Sequence, residues 1–252
     1  MTGDDVLSAL DIPADAITNL RIPKTLLVKN SAAIQTDKRL INEGIEEIRW
    51  LSALKAGTIS VPEYHDSLRE YPEISVLLTI LRKQINVLRL SELIHRSIPY
   101  PVFLVIEREK QLYVSLAHIR NSLSHNEETV LDGEIIITDN LADIQGETAN
   151  AFLKSLSILK QPRNNTFTLY QGWIDTLLAL AAARITGEFR KADNDERSEE
   201  RYKAIRQYAQ LEKEIKRLKA IAVKEKQTAR LVELNRKLKE LEAELQNVRK
   251  KL

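Results

Sequence analysis

Arg120-Asn121-Ser122-Leu123-Ser124-His125 is the stretch in which residue types and spacing come nearest to a reaction. A histidine that titrates near neutral pH can move a proton, and an arginine can hold developing negative charge. General acid–base chemistry at an anionic group is what such a pair would do. His65, His95 and His118 are scattered without metal-ligand spacing and read as ordinary surface or loop residues. Glu46, Glu47 and Glu73 stand beside apolar, strand-like runs with lysines nearby, as in metal-dependent phosphodiester hydrolysis. That chemistry needs an Asp and then an E-x-K triplet on the following strand. Glu73 is followed by Ile74-Ser75, and Glu107-Arg108-Glu109-Lys110 reads as a turn, so the pattern is not met. A Gly-rich phosphate loop, G-x-S-x-G and H-E-x-x-H are all missing from a sequence with only seven glycines. No metal and no cofactor are expected.

The 252 residues are enough for one substantial core and a helical appendage. Apolar content of 43% and charged content of 29% suit a soluble globular chain whose charge is raised by a coiled coil. Without cysteine there are no disulfides, thiolate zinc ligands or thiol nucleophiles. Asp4 and Asp5 stand where a secretion signal would be basic, and no apolar run reaches membrane-spanning length, so a cytoplasmic location away from membranes is expected.

The elements that must position these groups follow from periodicity. Residues 3–20 read as a short helix stopped by Pro13, Thr25 to Val28 as a brief strand, Asp37 to Gly44 as a helix and Glu46 to Lys55 as a strand. Ile74 to Leu81 and Pro101 to Ile106 are continuous β-rich apolar runs on either side of the helical spacing of Asn86 to Arg96. Strand, helix, strand predicts a crossover with parallel strands. Gln111 to Ile119 and Glu134 to Thr138 add strands, and helices follow over Glu147 to Lys160 and Thr168 to Thr186, the latter closed by Gly187. The expected fold is an α/β (α+β) body with a mixed sheet and flanking helices over 1–190, a polar hinge over 191–200, and a basic helical hairpin or coiled coil over 201–252.

In that last segment Leu231, Leu234, Leu238, Leu241, Leu245, Val248 and Leu252 step by threes and fours, the a/d seam of a coiled coil. A seam of roughly 33 Å cannot cover itself, and each leucine left in water forgoes about 1.5–3 kcal/mol. An earlier seam, Leu211, Ile215, Leu218 and Ala222, runs two residues out of register with it. A reversal near Lys224 to Thr228 would let the halves pack as an antiparallel hairpin; a straight dimeric coil, a homo-oligomer, is the competitor. Residues 201–252 hold sixteen Lys and Arg against seven Glu, +9, which leaves 2 − 9 = −7 on residues 1–200. Such a basic arm suits an acidic protein surface or the phosphates of DNA, with Lys216, Arg217, Lys219, Lys224, Lys226 and Arg230 as the contacts.

Two resemblances bear on function. The R-N-x-x-x-H string resembles the signature of HEPN-type ribonucleases, which implies Arg120, Asn121 and His125 as a site. That family is all-helical, whereas this motif directly follows a strand. The tail string VKEKQTARLVELNRKLKELEAEL (223–245), with RIPKTLLVKN, IEEIRWLSALKAGTISV, EISVLLTIL and IHRSIPYPVFLVI in the body, resembles a prokaryotic family, domain of unknown function four-three-nine-one. Its members combine an α/β body with a C-terminal helical pair carrying E-K-Q and V-E-L-N, here Glu225-Lys226-Gln227 and Val232-Glu233-Leu234-Asn235. The resemblance implies genes set beside helicases and DNA methyltransferases of restriction and phage-defence loci. It implies no catalytic residue. The expected role is a non-catalytic accessory subunit that docks on such a partner through the leucine seam, with a ribonuclease or a direct DNA binder as alternatives.

Overall fold

The computed structural model describes all residues except 32–33, 124–128 and 192–194, and the chain divides into two units, Met1–Leu177 and Leu178–Leu252. In the first, helix α1 (Gly3–Ala9) opens on a capping box between Thr2 and Asp5. Edge strand β1 (Ile17–Arg21), helices α2 (Lys24–Asn30) and α3 (Gln35–Gly44), and the long strand β2 (Ile45–Lys55) follow. After the single turn α4 (Ala56–Ile59), a small hairpin, β3 (Tyr64–His65) and β4 (Glu70–Tyr71), leads into β5 (Glu73–Leu81). Helix α5 (Val87–Ser97), strands β6 (Val102–Arg108), β7 (Gln111–Leu116), β8 (Ile119–Asn121), β9 (Thr129–Leu131) and β10 (Ile136–Ile137), and helix α6 (Gly146–Leu156) complete it. Helix α7 (Thr166–Thr186) crosses into the second unit, where α8 (Asp195–Ala222) and α9 (Thr228–Arg249) lie.

The main sheet has six strands in the order β1-β2-β5-β6-β7-β10. Only β5 and β6 run parallel, joined by α5 as their alternation of strand and helix requires. Both are apolar on each face because both faces are covered: Val102 to Ile106 are wholly buried. On one face Leu27 of α2, Ile41 of α3, and Leu90, Leu93 and Ile94 of α5 pack on Ile48, Leu77, Leu104 and Ile106. Arg89 of α5 reaches back to Asp37 of α3 in a bidentate pair at 2.6 and 2.9 Å, which holds the Asp37 carboxyl below its ordinary range. On the other face Trp173 meets Phe103 edge-on at 5.2 Å, and its indole N–H donates to the Leu156 carbonyl.

Several local expectations are corrected. Thr25 to Val28 is part of a helix: the spacing of Leu27, Val28 and Ser31 fits one covered face, and packing of Leu27 on α5 outweighs the β-propensity of a short run. Residues 17–21, of which 17–20 fell in the stretch 3–20 read as a short helix stopped by Pro13, form β1, whose residues are all exposed and so carry no alternation to read. A bulge at Asn19, with φ of +51°, twists this edge and discourages further strand pairing. The strand expected over 111–119 breaks after Leu116, and 119–121 pair with 129–131 in a separate ribbon. Helix 147–160 ends at Leu156, where Ser157 turns extended and caps a 3-10 turn over Ile158–Lys160. In the hinge, residues 195–200 are already helical.

Candidate interaction site: the basic helical hairpin

The reversal between α8 and α9 has neither Gly nor Pro. Glu225 makes it instead: one carboxylate oxygen accepts the main-chain N–H groups of Lys226 and Gln227, each at 2.9 Å. These bonds lower its pKa, and they hold the turn that leads into α9, whose first donors the Gln227 side chain does not cap. The expected hairpin is thus the observed one, and the two-residue offset between the seams is the mark of two separate helices.

Two small cores join them. Ala204, Leu211 and Val248 pack with Tyr208, Leu241, Leu245 and Leu252, and Ile215, Leu218 and Leu238 pack with Leu234, Leu241 and Leu245. Gln207 bonds to Glu244 at 2.9 Å and Lys219 pairs with Glu242 at 2.7 Å, which fixes the register. The seam assigned to an outside partner is therefore largely occupied from within. Leu238 and Val248 are buried against α8, and Leu234, Leu241 and Leu245 are half-buried against it, because a covalently tethered helix meets the stripe at a far higher effective concentration than any second molecule. Leu231 is half-buried, and Ile221, Val223 and Val232 near the reversal are exposed.

Polar side chains cover the outside. Of the expected phosphate contacts, Arg217 is held by Glu214 through two bonds of 2.7 and 2.8 Å, Lys219 by Glu242, and Arg230 loosely by Glu225 at 3.9 Å. Lys216, Lys224 and Lys226 make no ion pair among the described residues, nor do Lys213, Lys237 and Lys239. Exposed pairs of this kind add little to stability, so the surplus cations are the hairpin's distinguishing electrostatic feature.

Arg120 and Asn121 lie on β8, a strand, and His125 lies outside the described residues. Neighbours on a strand face opposite sides, so Arg120 and Asn121 do not share the helical face that the ribonuclease signature requires. The Arg120 guanidinium donates to the Asn121 carbonyl at 3.1 Å and stands 3.7 Å from Asp132, a carboxylate that Arg69 holds at 2.6 Å. The nearby His118 has both ring nitrogens engaged: Nδ1 with the Tyr71 hydroxyl at 2.7 Å, Nε2 with Gln171 at 2.8 Å. Gln171 in turn donates to Asp175, so its oxygen accepts from Nε2–H and Nδ1 accepts from Tyr71. Burial lowers the pKa of His118, which is locked neutral and has no free nitrogen to act as a base. Glu73 pairs with Lys55 at 3.0 Å, and no cluster of three potential metal ligands occurs among the described residues. Nor is any helix among them long and apolar enough to cross a membrane.

The sequence reading missed the turn-forming role of Glu225 and an open groove between α8 and α9. An acid just before a reversal that lacks glycine was the available signal for the first; the groove comes from helix pairing and had none. Neither the comparison with curated proteins nor that with solved structures gives a match. Residues 10–245, nearly the whole chain, match the family model described as Domain of unknown function (DUF4391), and the chain belongs to that family.

Proposed function

We propose that this chain is a non-catalytic accessory subunit of a DNA-processing restriction or phage-defence assembly, and that its helical hairpin is the part that docks on a helicase or DNA methyltransferase partner. One observation carries the reading: a two-helix unit with a narrow core presents Lys213, Lys216, Lys224, Lys226 and Lys239 without ion-pair partners among the described residues. Cations left free on a thin, register-locked scaffold favour capture of an acidic surface and speed its encounter. The body supplies the platform. The locus is what the family resemblance implies, and it supports the choice of partner.

The test is co-expression with the helicase and the methyltransferase of the same locus. Charge reversal at Lys216, Lys224 and Lys226 is expected to abolish co-purification while far-UV dichroism stays unchanged; a complex that survives it would count against the reading. Replacing Leu238 or Leu241 by Asp is not the right probe, because these leucines hold the hairpin together. Direct DNA binding is the second reading, favoured by Lys224 and Lys226 at the reversal. It calls for retention of duplex DNA that weakens steeply with salt, by a slope near 0.9 for each phosphate contact.

A further inference from the structure

We infer that the groove between α8 and α9 receives an acidic amphipathic helix of a protein partner, a refinement that rests on the docking role of the hairpin. Its lining joins the apolar Ala209, Ile215, Ala243 and Leu245 to Lys213 and Lys216 on α8 and Gln246 on α9. Groove residues on α8 run from Ala209 to Lys219, roughly 15 Å of helix axis, the length of about three turns of a partner helix. The two alanines of the lining let a helix backbone approach closely, as small residues do at helix crossings.

Charge decides the occupant. On the walls, Glu242 is engaged by Lys219 at 2.7 Å, which leaves Glu212 as the second carboxylate of the lining. Lys213 and Lys216 have no such partner among the described residues. They are spaced i, i+3 and so rise on one helix face, where carboxylates three or four residues apart on a partner helix can meet both. A second copy of this chain would bring another hairpin whose residues 201–252 bear sixteen Lys and Arg against seven Glu, which opposes self-association. Nucleic acid would meet the lysines, but the rest of the polar lining offers it only the carboxylates Glu212 and Glu242, which repel phosphate, and a single amide, Gln246, for a base or sugar. Apolar residues flanked by lysines are matched by a helix with a Leu/Ala seam and acidic flanks.

The experiment uses the full chain and two fluorescent synthetic helices of about 14 residues with one Leu/Ala seam, flanked by Glu in one peptide and by Lys in the other. The Glu-flanked helix is expected to bind at least about ten-fold more tightly, the preference to invert in Lys213→Glu/Lys216→Glu, and Ala243→Trp to abolish binding. Ala243 is exposed, so the Trp variant should keep its helicity. Equal binding of the two peptides, binding of neither, or binding unaffected by Ala243→Trp overturns the proposal. So does displacement of the Glu-flanked helix by duplex DNA, or self-association by light scattering that Ala243→Trp abolishes. If the groove variants still assemble with the helicase or methyltransferase while the Lys216, Lys224 and Lys226 reversal does not, the groove falls and the docking role stands.

Discussion

Within the body, the buried Tyr170 hydroxyl accepts the Ala117 N–H at 2.9 Å and lies 2.8 and 3.1 Å from the Val102 and Ala117 carbonyls, with its pKa driven up by burial. Within the hairpin, Lys213 and Lys216 face a groove with no carboxylate assigned to them. At Tyr170 the body closes a polar group against its own backbone, and at Lys213 and Lys216 the hairpin leaves its charges to solvent. Groups saturated from within can hold a fold but have nothing left for a ligand. The contrast therefore separates scaffold from contact surface, and substitutions in the two should differ in size and in what they leave standing.

The largest effect is expected in the scaffold. Trp173 is fully buried, meets Phe103 and anchors α6 through the Leu156 carbonyl, so Trp173→Ala should destabilise the body by about 3–5 kcal/mol. Urea unfolding followed by the fluorescence of the remaining Trp50 measures this. Leu238→Ala should cost less, about 2 kcal/mol, because Leu238 has only one partner helix to lose. Both tryptophans lie in the body, so far-UV helicity should fall at lower urea while tryptophan fluorescence keeps its midpoint. A single transition shifted equally for both probes would erase the distinction between the regions.

The acid response sharpens the comparison. His95 is enclosed beneath α5 with Nε2 at 3.0 Å from Ser115, and burial pushes its pKa from 6.5 down to about 3. The folded state then binds fewer protons than the unfolded one between those values. Its stabilisation is complete above pH 6.5 and is lost as pH falls through that window, by about 1.4 kcal/mol per unit for one group. His118, shifted the same way, adds to the slope. Denaturation of the body between pH 7 and 5 should show the loss, and His95→Leu should remove the share of it that His95 contributes. The hairpin contains no histidine and should show no such slope.

How much of this was legible in the sequence follows from what produced each feature. The parallel pair β5 and β6, the crossover α5 and the hairpin all left patterns, because each buries a face large enough to dictate its residues. Strand β1 left none, since an exposed edge constrains no alternation. His118 read as an ordinary loop residue because its partners, Tyr71 and Gln171, lie 47 and 53 positions away. Lys24 opens α2, and its ammonium donates to the Asn42 and Ile45 carbonyls at the C-terminal end of α3, a role visible only once that helix stands beside it. For the candidate site, the charge and its location were readable, but which cations stay free depends on cross-helix register.

Glu225 offers the smallest and most local test. Both of its bonds to the main chain are solvent-exposed, so Glu225→Ala should leave the body untouched and most of the hairpin formed. What it removes is the acceptor for two N–H groups that have no intrahelical partner just before α9, in a turn without glycine or proline to hold its shape. Amide exchange at Lys226 and Gln227 should accelerate, with little change at Leu238 and beyond. Glu225→Gln keeps a side-chain oxygen and should restore part of the protection, the shortfall measuring what the negative charge adds at the α9 N-terminus. Were exchange at these amides unchanged in both variants, the reversal would be dictated by helix packing alone, and the hairpin would be a stiffer platform than its thin core suggests.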